Sequence, residues 1–494
     1  MEKSVNEEQV KRDHLSTWQE KGFDPFPSQV ERDCDIASTK EKVDQEAKIA
    51  GRIMSFRRHG KSTFADLQDE SGKIQLYFKA DNLNENYEQL DLLDTGDFIS
   101  VAGEIFVTKM GETTLMVRSF ALISKSLEPL PASWFGLKDV ETRFRRRFLD
   151  LLVNEKAKET LKIRAKVISF FRKYMESEGF LELETPILQP IPGGASAKPF
   201  VTHYNILEHD FFLRIAPELY LKRLVVGGFE KVYEIGRAFR NEGLSHMHNP
   251  EFTIFEFYWA YKDYQFLMDF SEKMICQAIE DIKGSREIEY QGKTIKFEPP
   301  FPRITLRDLI LQDCQIDIDQ HKDFDSLKQA IGDQGIDLRM EDIFNWAKLV
   351  DELYKKVSRP KIWDPIFVID YPSELIPLAK KKADDQSKVA VFQLVCGGGV
   401  EVIKAYNELN DPIDQKNRLM EQAKMREDGW EEGQWFDGNF VDALEVGMPP
   451  TAGWGMGIDR FLMLLTDNYS IKEVIPFPTL RPLENEEGIS ENIV

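Results

Sequence analysis

The apolar residues of this chain change their period once, near residue 140, and that change limits the fold more than any other feature. Between residues 46 and 126, apolar and polar residues alternate in short runs at 48–56, 62–69, 73–79, 98–106 and 113–122. Such alternation puts one face of a strand in a core and the other in water. Turn signals such as Glu70-Ser71-Gly72 and Met110-Gly111-Glu112 separate the runs, and residues 82–93 read as a helical insert. Five short strands with one helical insert suit a closed barrel of the OB type, a fold that commonly binds oligonucleotides. From about 140 the pattern is mixed. A long helical period covers 155–177, after which strands and helices alternate irregularly. That order favours an α+β domain on an antiparallel sheet over a doubly wound parallel one.

The other boundaries follow from composition. Residues 1–45 are polar and charged, with a helix expected near 5–21 as an N-terminal extension. The barrel spans 46–126, a proline-containing linker 127–139, the α+β domain 140–482 and an acidic tail 483–494. A chain of 494 residues exceeds what one core usually organises. The net charge of −21 argues against a surface coated in basic groups for non-specific nucleic-acid binding. Local basic groups remain at Arg52, Arg57, Arg58 and Lys61, and at Arg143, Arg145, Arg146 and Arg147. Cys34, Cys276, Cys314 and Cys396 lie far apart with no C-x-x-C pair, so neither a zinc ribbon nor a disulfide framework is expected. Charges occur throughout the first thirty residues, and no apolar run approaches the roughly 20 residues of a membrane helix. The expectation is a cytoplasmic protein with no membrane partner.

Three stretches carry chemistry: Phe239-Arg240-Asn241-Glu242-Gly243, then His248-Asn249-Pro250-Glu251-Phe252, and then Gly453-Trp454-Gly455-Met456-Gly457-Ile458-Asp459-Arg460. A triphosphate attacked at its α-phosphate needs fixed donors, and guanidinium forks match phosphate oxygens better than lysine point charges do. If residues 251–261 form a strand, Phe252, Ile254, Glu256 and Tyr258 share one face, and Arg240 shares a face with Glu242. Signatures of other nucleotide folds are missing. Gly60-Lys61-Ser62 lacks the upstream glycine of a P-loop, and Gly453-x-Gly455-x-Gly457 lacks dinucleotide spacing.

These stretches resemble motifs 2 and 3 of class II aminoacyl-tRNA synthetases, and residues 179–194 resemble motif 1. With residues 137–152, Ile215–Arg223, Gly193–Phe200, Glu256-Phe257-Tyr258 and Glu408-Leu409-Asn410-Asp411 added, nearly the whole chain is similar to the lysyl-tRNA synthetases of class IIb. The resemblance implies lysyl-adenylate formation from ATP and L-lysine with magnesium, then transfer to the tRNA for lysine, in a homodimer joined partly through motif 1. It implies Arg240 and Arg460 as catalytic phosphate-holding residues, with Glu242, His248, Asn249, Phe252 and Glu401 also on ATP. It assigns Gly194, Glu218, Glu256, Tyr258, Lys404, Tyr406 and Glu408 to lysine. Glu401 and Glu408 resemble a magnesium-binding pair, since hard cations take oxygen ligands. In the barrel, Arg52, Phe64 and Gln75 resemble anticodon readers of a uridine-rich triplet, an aromatic face stacking a base while Arg and Gln bond its edge.

One strand departs from the lysyl pattern. Where these enzymes usually show Glu-Ile-(Gly or Cys)-Asn-(Gly or Ala)-(Phe or Tyr), this chain has Glu401-Val402-Ile403-Lys404-Ala405-Tyr406. Lys404 replaces a pocket-lining Asn. Parity puts Lys404, Tyr406 and Glu408 on one face, and Glu401 joins them only through a bulge. A second ammonium about 4 Å from the substrate's would cost on the order of 4 kcal/mol at an effective dielectric of about 20. Three readings are open: Lys404 fills the ammonium site, it swings toward phosphate or solvent, or it is a tolerated substitution in a working enzyme. Ile376 also replaces a usual Ser, and Val391-Phe392-Gln393 an Arg-Phe-Glu. The alternatives are a synthetase-like paralogue that binds RNA with weakened or lost lysine activation, or an aspartyl or asparaginyl specificity. Three pocket carboxylates disfavour acidic substrates.

Overall fold

Alternation in the N-terminal part closes into a five-stranded barrel in the computed structural model, which describes residues 2–130, 139–338, 343, 345–427 and 433–483. The chain divides into two units, Met1–Asp139 and Val140–Val494. The first unit has the strands β1 (Glu46–His59), β2 (Ser62–Gln68), β3 (Lys73–Lys79), β4 (Phe98–Val107) and β5 (Thr113–Ser124), closed in the order β1-β2-β3-β5-β4. Inward positions Ala65, Leu67, Leu76 and Phe78 have no exposure. The helical insert runs as Ala80–Leu83 and Asn84–Leu92, and helix α1 (Glu2–Glu20) anchors through Trp18, whose indole donates to the Leu92 carbonyl. Most of the expected linker (131–138) and of the acidic tail (484–494) lies outside the described residues.

The second unit is built on an eight-stranded sheet. In chain order its strands are β6 (Leu181–Glu182), β7 (Lys231–Phe239), β8 (Glu251–Ala260), β9 (Arg303–Thr305), β10 (Ile366–Ile369), β11 (Val391–Cys396), β12 (Val400–Asn407) and β13 (Thr451–Gly457). They lie in the order β9-β10-β11-β12-β13-β8-β7-β6. Only the outermost pairs are parallel, and the six central strands are antiparallel. This agrees with the α+β expectation. β8 ends where Tyr261 takes a left-handed φ of 64°.

Three helices cover one face of the sheet: α2 (Glu155–Ser177), α4 (Tyr264–Lys283) and α5 (Ile458–Leu465), with α3 (Glu218–Val226) on the other side. α2 starts at Asn154, whose side chain accepts from the Ala157 amide. It buries Ile163, Val167, Phe171 and Tyr174 at three- and four-residue spacing, as an amphipathic helix must. α4 starts at Asp263, whose side chain accepts from the Phe266 amide, and stops at Gly284 in the left-handed region. Odd-numbered β8 side chains meet these helices: Phe255 and Phe257 pack on Trp454 with ring centroids 5.0 and 4.8 Å apart. Each such buried ring contributes about 1.5–3 kcal/mol relative to exposure. The even-numbered side chains are left to the opposite face.

Candidate active site

On that opposite face a cavity of about 370 Å³ opens over β8, β13 and β12, a volume suited to a small-molecule ligand. Register explains its floor. Lys404, Gly455, Glu256 and Glu234 form one row across four strands, and Tyr406, Gly453, Tyr258 and Val232 form the next. Glycines in the middle strand leave the gap. A Cβ on Gly453 would lie 1.9 Å from Glu408 Oε1 and 2.7 Å from Tyr258 Cε1. Gly194, with a φ of +89°, lets the preceding loop close over Glu218. Phe252, Ile254, Glu256 and Tyr258 all line the cavity, as parity requires, together with Arg240, Glu242, His248, Asn249, Glu401, Lys404, Tyr406, Glu408 and Arg460.

One end is anionic and dry. Glu218, Glu256 and Glu408 are at most 6% exposed. Tyr406 donates to both oxygens of Glu218 at 2.9 Å, and Tyr258 donates to Glu256 at 3.3 Å. Burial, and then the charge of Glu218, pushes Glu256 up to about 8. Glu218 opens α3 and so also suits the positive end of that helix. The sequence motifs give Lys222 no role. Its ammonium, with no exposure, lies 2.6 Å from Glu218 and against Glu408. Burial alone would lower its pKa, but Glu218 and Glu408 hold it above the ordinary value. The one available signal was its position four residues after Glu218 on a helix, where opposite charges meet.

The other end is cationic. Arg240 lies over the Phe252 ring at 5.0 Å, and its buried Nε has no protein partner. Arg460, on the first turn of α5, donates to His248 Nε2 at 3.3 Å, which makes Nδ1 the donor to Ser245 Oγ at 2.8 Å. His248 sits at the mouth; the surrounding protein first, then Arg460 and Arg240, push it down to about 4, so it is neutral. His246 instead stacks on Tyr469 at 4.6 Å. The Asn249 amide serves the loop itself, donating to the Glu251 carbonyl and accepting from the Thr479 amide. Arg359, also unforeseen, reaches 3.9 Å from Glu401 and is fixed by the Gly399 carbonyl. Glu401 is held below its ordinary value: burial opposes this, and Arg359, Arg460 and Lys404 prevail.

Two expectations need correction. Glu401 and Glu408 do not form a magnesium pair. They stand seven residues apart along β12 and its continuation, which at about 3.3 Å per residue separates them by roughly 20 Å. Glu401 faces Arg359, whereas Glu408 faces Lys222. Among the described residues no three His, Cys, Asp or Glu side chains gather as a metal site. Lys404, secondly, makes no ion pair with Glu256, the carboxylate that the resemblance gives to the ammonium, and the cation on Glu218 and Glu408 is Lys222. The bulge does exist: the register slips between Leu394 and Val395, so Glu401 pairs with Val395 and Lys404 with Gln393. Glu401 and Lys404 thereby share a face.

The barrel brings its three candidates to one outer surface. Phe64 stacks on Tyr77 at 4.8 Å, and Gln75 stands two pairs along the same two strands, and so on the same face. Arg52, on the neighbouring strand, donates to the Gly96 carbonyl at 3.0 Å and covers Phe98. Tyr77 had not been singled out, although its position opposite Phe64 doubles the aromatic face.

Comparison with known proteins agrees with this geometry. A family described as tRNA synthetases class II (D, K and N) matches residues 139–481, and an OB-fold nucleic acid binding domain matches 47–123. The chain is 46% identical over 489 residues to a lysine–tRNA ligase of Pelotomaculum thermopropionicum, covering 98% of this chain and 96% of that protein. It is 44% identical to that of Thermotoga maritima, with 95% of both covered, and 44% identical to that of Clostridium perfringens, with 97% of both covered. Matches this long, over both the barrel and the sheet that carries the cavity, show that the chain belongs to the class II aminoacyl-tRNA synthetases, in the lysyl-tRNA synthetase family.

Proposed function

We propose that the protein activates L-lysine with ATP and ligates it to the tRNA for lysine. The substrate carboxylate attacks the α-phosphorus, pyrophosphate leaves, and lysyl-adenylate forms. The terminal ribose hydroxyl of tRNA then attacks the carbonyl carbon and AMP leaves. Glu218 with Tyr406 receives the α-ammonium, and Glu256 with Tyr258 the ε-ammonium, each desolvated cation needing an anion in place of its water. Arg240 holds the α-phosphate, Arg460 the outer phosphates, and Phe252 the adenine. His248, being neutral, keeps Arg460 aimed without adding charge, while Glu242 and Asn249 shape the nucleotide side. Adenylate formation is positioning plus electrostatic stabilisation of the leaving pyrophosphate, with no general base, because the attacking carboxylate carries no proton. Magnesium enters with ATP as part of the substrate.

The observation that carries this reading is one cavity with three buried carboxylates at one end and Arg240 and Arg460 at the other. ATP–pyrophosphate exchange with each amino acid tests it. Exchange with lysine alone is expected; exchange with aspartate or asparagine, or none, overturns it.

In the barrel, Arg52, Phe64 and Gln75 read a uridine-rich anticodon. Changing that triplet in the tRNA is expected to raise KM for tRNA and leave exchange untouched. The protein works in the cytoplasm; no helix among the described residues is long and apolar enough to cross a membrane. It acts as a homodimer, which fits the exposed Leu181, Ile187, Leu188, Val201 and Ile206 around motif 1 and the sheet edge. Sedimentation is expected to give twice the chain mass.

A further inference from the structure

Two positions of this sheet depart from the lysyl pattern together. By the resemblance described above, Gln393 stands in place of a Glu and Lys404 in place of an Asn. The two are direct partners in the antiparallel register of β11 and β12, so their side chains leave the same face. A carboxylate replaced by an amide adds one positive unit, and an amide replaced by an ammonium adds another. Their sum equals the charge of a divalent cation.

The surroundings agree with that sum. Gln393 is 8% exposed and held by the Tyr371 hydroxyl at 2.7 Å, so it is a fixed neutral group. The bulge brings Glu401 to the same face, where it is the carboxylate that answers Lys404, Arg359, Arg460 and Lys355. Glu401 facing four cations is a poor ligand for a further dication, because each added cation is repelled by the others. Among the described residues the Lys404 ammonium makes no hydrogen bond or ion pair with protein, and Lys404 lines the cavity. Its ammonium is thus available to a ligand.

We propose that Lys404 takes the electrostatic place of a magnesium ion that protein carboxylates would otherwise hold, giving its ammonium to phosphate oxygens of the nucleotide. The inference rests on the nucleotide reading of this end of the cavity. It concerns the protein-held ion, not the magnesium that ATP carries in solution.

The test is binding of adenosine 5′-(β,γ-imido)triphosphate to the full-length protein, by calorimetry, in magnesium and in EDTA. For the parent, EDTA is expected to weaken binding less than about tenfold. For Lys404→Asn the same change is expected to cost on the order of a hundredfold, the worth of a nearby unit charge in a partly wet site. Lys404→Arg, which keeps the charge, is expected to behave as the parent. Gln393→Glu with Lys404→Asn is expected to be the most magnesium-dependent and to bind one more Mn²⁺. Each protein is compared with itself, so general loss of affinity cancels, and Lys404→Gln supplies a second neutral variant should Lys404→Asn not fold. Equal ratios in the parent and the neutral variants, or a parent that binds only with magnesium, would overturn the proposal. A parent that binds the nucleotide in neither condition overturns the nucleotide reading itself.

Discussion

At its amino-acid end the cavity holds three carboxylates in a buried shell, with Lys222 wedged between two of them. At its nucleotide end Arg240, Arg359 and Arg460 converge with Glu401 and Glu242 as their near counter-charges, and the mouth is open to solvent at His248. The anionic end is thus partly neutralised from within: one ammonium is built in, and Glu256 retains its proton to about pH 8. The cationic end keeps its charge. The difference follows from water. A buried cluster of like charges is costly unless paired or protonated, whereas arginines at an open mouth are screened until a polyanion displaces the water.

The largest expected effect is at Lys222. Lys222→Met leaves Glu218 and Glu408 facing each other across a dry gap, and removing one partner of a buried pair costs about 3–5 kcal/mol. A lower urea midpoint with unchanged slope is the expected result. An unchanged midpoint would mean that protons, not Lys222, neutralise these carboxylates, and the contrast between the two ends would weaken.

Much of this contrast was legible in the sequence. Parity alone puts Phe252, Glu256 and Tyr258 on one side of β8, and the seven-residue interval between Glu401 and Glu408 already implies a separation too long for one ion. The requirement for a bulge before Lys404 also follows from counting. Lys222 and Arg359 were not legible for a shared reason: each acquires its role from partners on other elements. Lys222 meets Glu408 across 186 residues of chain, as their numbers show, and Arg359 reaches Glu401 from a short 3₁₀ turn outside every recognisable motif. The barrel strands were legible because β2 and β3 alternate strictly and the other three do so over part of their length. The stacked Phe64–Tyr77 pair was not, because register between strands is invisible until the turns are set.

At the other end, Arg460→Gln is expected to slow pyrophosphate exchange on the order of a hundredfold to a thousandfold, the scale of losing one fixed donor to developing charge. Kd for lysine should stay where it is. His248 supplies an independent readout. Arg460 is among the charges holding it down near 4, so in the variant its proton-binding midpoint moves up toward the ordinary range, visible by NMR. A shift in lysine affinity instead would show that the two ends are not electrically separate.

The smallest effect is the one that joins the two descriptions, and its sign can be worked out at Glu256. In the free pocket this carboxyl titrates near 8, against an ordinary value of 4.5. Between those values the folded protein holds a proton that the unfolded chain has lost. Stability from this group is therefore complete below 4.5 and disappears as pH rises through about 8. Lysine binding runs the other way. An ammonium wants the ionised carboxylate, so below pH 8 each bound lysine expels a proton, and Kd weakens about tenfold per pH unit as pH falls. Calorimetry in two buffers of different ionisation enthalpy should register close to one proton released at neutral pH. Glu256→Gln should bind lysine more weakly at pH 8 yet lose the slope. If the slope survives in Glu256→Gln, the proton resides on Glu408, and Lys222 neutralises less of the anionic end than its position implies.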